Sequence, residues 1–433
     1  MMLARFAAAT LVAVLAFIAP AALAQDFIQV DRLTLLDIDP ATDDNGRFGR
    51  SLALAGDLAL VGAPQKEGLD GAVYIVRLEP DASLTYLDRL DPGEATFRFG
   101  LGIAADGEWA AIIDSADDLR IFQRVGDGFV LRQTLETPPT QGGITVRNFE
   151  SIAMQGDTIV IGDSSANLTG FSNAGAAVVY RRSGSTWSLH ALVPSPDPGN
   201  TTGFGDAVAV SGDALVVGAP DADASDGGAT GASFGRAWVF RRAGAGWNLE
   251  AVLDGPADDK VGGDRFGWSV AIDSDTAVVG CAVCNNGVGA PSNSGSFHVF
   301  RRNAGGANAW GRVQEASASN AAFIDDFSFA LRLRGDLLMT TSPGNQDKSV
   351  YLFARPPGGA FAEVDVLQNT DGNNTEFGST VDFSGVRSMV GADTFPDDAG
   401  DPDRYGAIYS FTNPAVLACR GNLDGIFCDG LEG

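Results

Sequence analysis

Short apolar runs alternate with polar, glycine-containing turns along this chain, and the alternation recurs. Its clearest instance spans residues 204–253. Phe204-Gly205 leads into Ala207-Val208-Ala209-Val210, a short strand. Ser211-Gly212-Asp213 has the composition of a tight turn between antiparallel neighbours. Ala214 to Gly218 holds almost no polar residue, which predicts a strand buried on both faces. A long polar loop, Pro220 to Phe234, follows. Gly235 to Phe240 alternates in and out as a third strand, and Trp247 to Leu253 predicts a fourth, more exposed one.

The same order begins at Phe48, Phe99, Phe149, Phe204, Phe266, Phe327 and Phe377. Eight or nine residues later comes a tight-turn pair, such as Gly56-Asp57, Gly212-Asp213 or Gly335-Asp336, with Gly156-Asp157 one residue nearer its start. A β-branched run with a small-residue exit follows in Val61-Gly62-Ala63-Pro64, Val217-Gly218-Ala219-Pro220, Val279-Gly280-Cys281 and Val390-Gly391-Ala392. The second unit is the most worn: Ile112-Ile113-Asp114 replaces the exit, and its third strand shrinks to Leu119 to Phe122. A unit of about 50–60 residues cannot bury its apolar face alone, but a closed ring of such units can. The pattern therefore predicts an all-β fold, a seven-bladed β-propeller of four-stranded antiparallel blades.

Ring closure is also legible. The seventh unit reaches its third strand at Ala407 to Phe411 and then runs out. Phe27-Ile28-Gln29-Val30-Asp31-Arg32-Leu33 matches Phe361-Ala362-Glu363-Val364-Asp365-Val366-Leu367 at Phe, Val, Asp and Leu. Residues 27–36 are thus expected to form the outer strand of the last blade, which removes exposed edges.

The N-terminus has the order of an export signal. Arg5 gives a short positive region, Phe6 to Ile18 an apolar one, and Ala22-Leu23-Ala24 a cleavage box before Gln25. A retained anchor is the alternative. The expected organisation is a signal peptide over 1–24, the propeller over 25–413 and a tail over 414–433. The expected location is secreted, periplasmic or cell-surface, with no membrane span.

Charge narrows the partners. With 29 Lys+Arg against 55 Asp+Glu, the formal charge is −26. Such a field repels nucleic acid and anionic lipid. Four cysteines in an exported chain point to disulfides. Cys419 and Cys428 bracket a short tail loop and are expected to pair. Cys281 and Cys284 have the spacing of a local disulfide, with free thiols or metal and redox chemistry as alternatives. A zinc site would need more ligands, and the only histidines are His190 and His298.

Phe-Gly, then Ser-Gly-Asp, Val-Val-Gly-Ala-Pro, Gly-x-Ala-x-Val-Phe and Trp together resemble FG-GAP repeats, over roughly residues 27–411. Such repeats form the head of integrin α-subunits and many bacterial secreted propellers. The resemblance implies fold far more than function. Integrin-type repeats often place a calcium loop, Asp-x-Asp/Asn-x-Asp-Gly-x-x-Asp, between their first two strands. This chain has only Gly-Asp or Ser-Asp there, too short to wrap an ion that takes six to eight oxygens. The short-turn bacterial subtype is the nearer likeness, and neither a cofactor nor a structural metal is expected. Asp424 to Glu432 resembles the short "Ile-Phe-x-Asp-Gly-Phe-Glu" ends of some exported Gram-negative proteins.

Alternating strands put two classes of loop on opposite faces of the disc. The short turns carry Arg181-Arg182, Arg241-Arg242 and Arg301-Arg302. The long loops hold Asp221, Asp223 and Asp226; Asp254, Asp258, Asp259 and Asp264; and Asp393, Asp397, Asp398, Asp401 and Asp403. These twelve aspartates are the candidate ligand-binding residues, because function concentrates on long loops held by a rigid scaffold. Solvated, solubilising loops are the bland alternative, and Asp221-x-Asp223-x-x-Asp226 is only a loose likeness of a cation loop.

No catalytic residue is assigned. His190 and His298 lie within predicted strands, and no Gly-x-Ser-x-Gly, Walker or His-Glu-x-x-His motif occurs. The leading expectation is a monomeric, non-catalytic binding or adhesion-type propeller that presents its acidic face to an extracellular protein or glycan. The rival is a propeller enzyme, a hydrolase or lyase of glycans or other extracellular polymers, with a carboxylate pair in the central channel.

Overall fold

The computed structural model describes residues 27–39, 46–94, 96–115, 118–198, 203–223, 234–255, 263–284, 293–322, 326–344, 348–370, 376–385, 387–394 and 405–413. They form seven four-stranded antiparallel sheets. Blade 4 illustrates the plan: Ala207–Ser211 innermost, then Ala214–Ala219, Arg236–Ala243 and Gly246–Leu253. Burial peaks at the second strand and falls outward from it, because the second strand is covered by blades on both faces while the outer strand lies at the rim. Each third strand meets its outer neighbour through a register shift, as between Val239 and Phe240.

The last blade closes as expected. Ile28–Thr34 pairs antiparallel with Ala407–Thr412 of the chain's other end. The closing strand stops at Thr34 and does not reach residue 36. Thr34 and Asp37 form a reciprocal capping box, in which the Thr34 backbone N–H donates to the Asp37 carboxylate at 2.8 Å. That box turns the chain into a short helix, Leu35–Ile38.

Aromatic rings fill the seams between blades. Phe48, Phe99, Phe204, Phe327 and Phe377 are wholly buried, each worth about 2–3 kcal/mol on burial. Most meet an aromatic ring on their own blade's third strand: Phe48 with Tyr74, Phe204 with Trp238, Phe327 with Tyr351 and Phe377 with Tyr409, at centroid separations of 5.6, 5.4, 5.1 and 5.2 Å. In blade 5 the same slot holds His298, 5.2 Å from Phe266. In blade 2 it holds Arg120, whose guanidinium lies 5.9 Å from the Phe99 ring.

The slot explains the worn second unit. A guanidinium buried there needs a counter-charge, and the equally buried Asp114 supplies it by direct ion pairing. The third strand of this blade is not shortened: it runs over Leu119–Val125, past the expected end at Phe122. Ile113, standing where five other blades have glycine and blade 6 has Thr341, has room because Gly102 presents no side chain to it.

Each Phe-Gly pair also touches the preceding blade through its backbone. Isolated parallel bridges join Gly71 to Phe99, Gly235 to Phe266, Gly295 to Phe327 and Gly406 to Phe48. The glycine of the Val-Gly-Ala exit faces the next blade's Phe-Gly carbonyl; a Cβ at Gly218 would overlap the oxygen of Gly267. Glycine is required there by close approach, not by backbone angle.

A Gly218→Ala substitution should therefore destabilise the protein by about 1–3 kcal/mol, as overpacking does. Gly246→Ala, where a Cβ meets nothing within 4 Å, should stay within about 0.5 kcal/mol of the parent. Denaturant unfolding of the two variants measures both; equal effects would show that the seam tolerates a methyl group.

Candidate functional site

The two ends of the central channel are built differently. At the short-turn end, the last residue of an inner strand accepts a hydrogen bond from the next blade's turn. The Gly156 N–H donates to Asp106, Gly212 to Gln155 and Gly335 to Asp273, each at 2.6 Å. Asp382 accepts from the Leu54 N–H at 2.9 Å and pairs with Arg334 at 3.2 Å. The channel, about 350 Å³, is lined by apolar inner-strand residues with these polar groups among them. Its carboxylates hold neighbouring blades in register.

The Gly-Asp turns on that face have a partner of their own. Asp57 pairs with Arg124 at 2.8 Å, Asp336 with Arg355 at 2.8 Å, Asp157 with Arg181 and Asp213 with Arg242. Burial disfavours the charged form of Asp57, but the Arg124 hydrogen bond and the charges of Arg124 and Arg77 outweigh it and hold the carboxyl below its ordinary range. Arg241 and Arg302 both grip Glu250, at 2.9 and 2.6 Å, while Arg182 lies over the rings of Trp109 and Trp187. The arginine-bearing turn face is thus largely neutralised by its own carboxylates.

The two histidines are strand residues. His298 is buried, 3.0 Å from Ser296 Oγ, and burial followed by the nearby Arg312 charge drives its pKa down to about 3. His190 lies in the outer strand Thr186–Pro194, its pKa lowered first by burial and then by Arg181 and Arg242. Cys281 and Cys284 form a disulfide beside the second strand of blade 5. Among the described residues no group of three or more His, Cys, Asp or Glu is placed to hold a metal ion, and no helix is long and apolar enough to cross a membrane.

On the long-loop face, five of the twelve candidate aspartates are described. Asp221 faces Arg265 at 3.7 Å. Asp254 pairs with the buried Arg236 at 2.9 Å. Asp264 is buried and Asp223 half-buried. Asp393 is fully buried between Arg47 and Arg50. Its pKa is raised to about 6 all the same, because burial and the adjacent Glu376 carboxyl outweigh the two guanidinium charges. Arginines therefore stand among the aspartates on this face as well. Asp226, Asp258, Asp259, Asp397, Asp398, Asp401 and Asp403 lie outside the described residues, as do residues 1–24, Cys419 and Cys428 and the whole tail.

The loop end of the channel holds groups the sequence reading did not single out. One residue follows each Phe-Gly pair or its worn form at the start of the inner strand's approach: Arg50, Leu101, Asp206, Trp268, Phe329 and, already inside the strand, Ser379. Blade 3 is one residue shorter and places Glu150 there. The seam repeats, yet this position differs in every blade. On one side of the mouth, Trp268 and Phe329 are half-exposed with centroids 5.7 Å apart, and Arg265 lies 5.3 Å from the Trp268 ring.

Beside them, between blades 3 and 4, opens a polar cavity of about 390 Å³ lined by Arg147, Ser164, Ser165, Asn173, Gly203, Asp206 and Asp221. The Arg147 guanidinium donates to Asn173 Oδ1 at 3.2 Å, and the Ser164 N–H to Glu150 at 3.1 Å. Burial, then the Glu150 and Asp221 charges, push Asp206 up to about 6 against the pull of Ser164 and Arg265.

The FG-GAP repeat family matches residues 30–76, 187–240 and 247–300. Each match starts in the outer strand of one blade and ends in the third strand of the next. The first starts inside the closing N-terminal strand, so the sequence repeat spans the seam it builds. A search of curated proteins finds no match to this chain.

The raised Asp206 has a consequence for stability. Between its ordinary pKa and about 6 the folded protein binds more protons at this site than the unfolded chain, so its contribution to stability falls as pH rises through that window. Asp206→Asn should raise the melting temperature at pH 7 by about 1–2 °C and have little effect at pH 4. Scanning calorimetry at the two pH values checks this; a loss of stability at pH 7 would contradict it.

Proposed function

We propose that this chain, an FG-GAP repeat β-propeller, is an exported, non-catalytic binding module that presents its long-loop face to an extracellular protein or glycan. The observation that carries the reading is the contrast between a repeated seam and the unlike side chains set on it. Arg50, Leu101, Asp206, Trp268, Phe329 and Ser379 share one position of the repeat, and of these Arg50 has a structural partner, the buried Asp393 at 3.6 Å. A scaffold that repeats its packing while varying one surface position has the form of a recognition surface.

Asp221 belongs to this face and lines its cavity, and the remaining loop aspartates supply an acidic surround. The Cys281–Cys284 disulfide fits an oxidising compartment. The propeller is taken to act as a monomer, its ring closed by its own N-terminal strand. The rival enzyme reading places a carboxylate pair in the central channel. There Asp106, Asp273 and Asp382 are engaged by backbone N–H groups of neighbouring blades, which suits a structural duty.

Screening the mature protein, residues 25–433, on glycan and extracellular-protein arrays tests the proposal. Retention of a partner without chemical change is expected, and it should weaken in Asp221→Asn. Appearance of new reducing ends or unsaturated products in polymer digests would replace binding with catalysis.

A further inference from the structure

Resting on the reading of the loop face as a recognition surface, we infer that the ligand is a neutral glycan, with one pyranose ring stacked on Trp268 and Phe329 and its hydroxyls turned into the cavity beside Asp206. Three features at the blade 3–6 side of the mouth combine to suggest it.

The first is the pair of half-exposed rings. Trp268 and Phe329 occupy recognition positions of adjacent blades and lie 5.7 Å apart with an interplanar angle of 45°. A sugar presents axial C–H groups on one face, and these pack on an aromatic ring with little desolvation. Buried rings serve packing, but these two precede their inner strands at the rim of the channel and keep part of their surface in solvent.

The second is the neighbouring cavity. At about 390 Å³ it has room for one or two sugar rings. Its wall mixes acceptors and donors at short range: the carboxylates of Asp206 and Asp221, the Arg147 guanidinium, and the Asn173 amide. A sugar hydroxyl both donates and accepts, so a wall of both kinds fits it better than a wall of one. Arg265 joins the two parts, facing Asp221 at 3.7 Å and the Trp268 ring at 5.3 Å.

Charge gives the third argument and selects the class of sugar. Burial first, then the Glu150 and Asp221 charges, raise the Asp206 pKa; these three carboxylates outnumber Arg147 and Arg265 at the site, within a protein of net charge −26. An anionic sugar, sialic or uronic acid, would be repelled. A neutral hexose or N-acetylhexosamine would not. The partly protonated Asp206 below pH 6 can also donate to a hydroxyl, so neutral sugars should still bind in mild acid, whereas a cationic ligand would lose affinity there.

Saturation-transfer NMR and titration calorimetry on the mature protein are the test, using free galactose, glucose, mannose, N-acetylglucosamine and N-acetylgalactosamine, their β-linked oligomers, and sialic and glucuronic acids as the anionic set. At least one neutral sugar should bind in the millimolar to micromolar range. Trp268→Ala and Asp206→Ala should each weaken it by about tenfold or more with folding intact by circular dichroism. If Trp268→Ala does not fold, Phe329→Ala takes its place. Anionic sugars should bind at least about tenfold more weakly than the best neutral one. Binding of a neutral sugar that is unchanged in all of these variants would overturn the site. Failure of every sugar while a protein is retained on the array would overturn the glycan assignment and leave the recognition face standing. Failure of both would overturn the recognition face as well.

Discussion

Close approach between the Phe-Gly turn of one blade and the glycine exit of the blade before it is the constraint on which the rest of this structure depends. Five buried phenylalanines and an aromatic slot fill the seam with rings. Glycines such as Gly235 and Gly218 let backbone meet backbone where a single methyl group would overlap a carbonyl oxygen. A blade is therefore not a complete folding unit. Its phenylalanine is half of a contact whose other half lies in its neighbour, and a ring of seven is the smallest body of this chain in which every contact is completed.

The matched repeats express the same arrangement in sequence. Each runs from an outer strand across the seam to the next blade's third strand, so one sequence unit contains one seam. The closing strand Ile28–Thr34 follows from that offset. The first unit begins with an outer strand that has no blade of its own, and the last blade lacks one.

Much of the fold was legible because it lies in the repeat. Phe48 to Phe377, the Gly-Asp turns and the Val-Gly-Ala exits place seven blades in order, and Phe27 to Leu33 resembles Phe361 to Leu367 closely enough to identify the closing strand. The worn second blade read short because Arg120 breaks its apolar pattern. The guanidinium occupies an aromatic slot, and its counter-ion Asp114 is what replaced the small-residue exit. Loop-side candidates were harder to judge. Counting aspartates gives the sign of a face but not which carboxylates are engaged, and Asp254 and Asp393 prove to be held by arginines far away in sequence or hidden in the strand pattern. Asp206, Trp268 and Phe329 went unnoticed for the opposite reason. They fall one residue after the motif, in a position that looks variable and therefore uninformative until the ring brings all seven copies around one mouth.

The two ends of the channel divide the labour. Asp106, Gln155 and Asp273 tie blade to blade at the short-turn end, and the turn arginines neutralise the turn aspartates. That leaves the loop end as the place where unlike side chains stand without a shared packing duty. Hydrogen–deuterium exchange on residues 25–433, with and without the strongest binder from the arrays, tests this division most directly. The account predicts slowed exchange in residues 147–151, 203–208, 265–270 and 327–331, and unchanged exchange in the turns at 211–214 and 243–246. Protection confined to those turns, with none at the loop-side mouth, would contradict it.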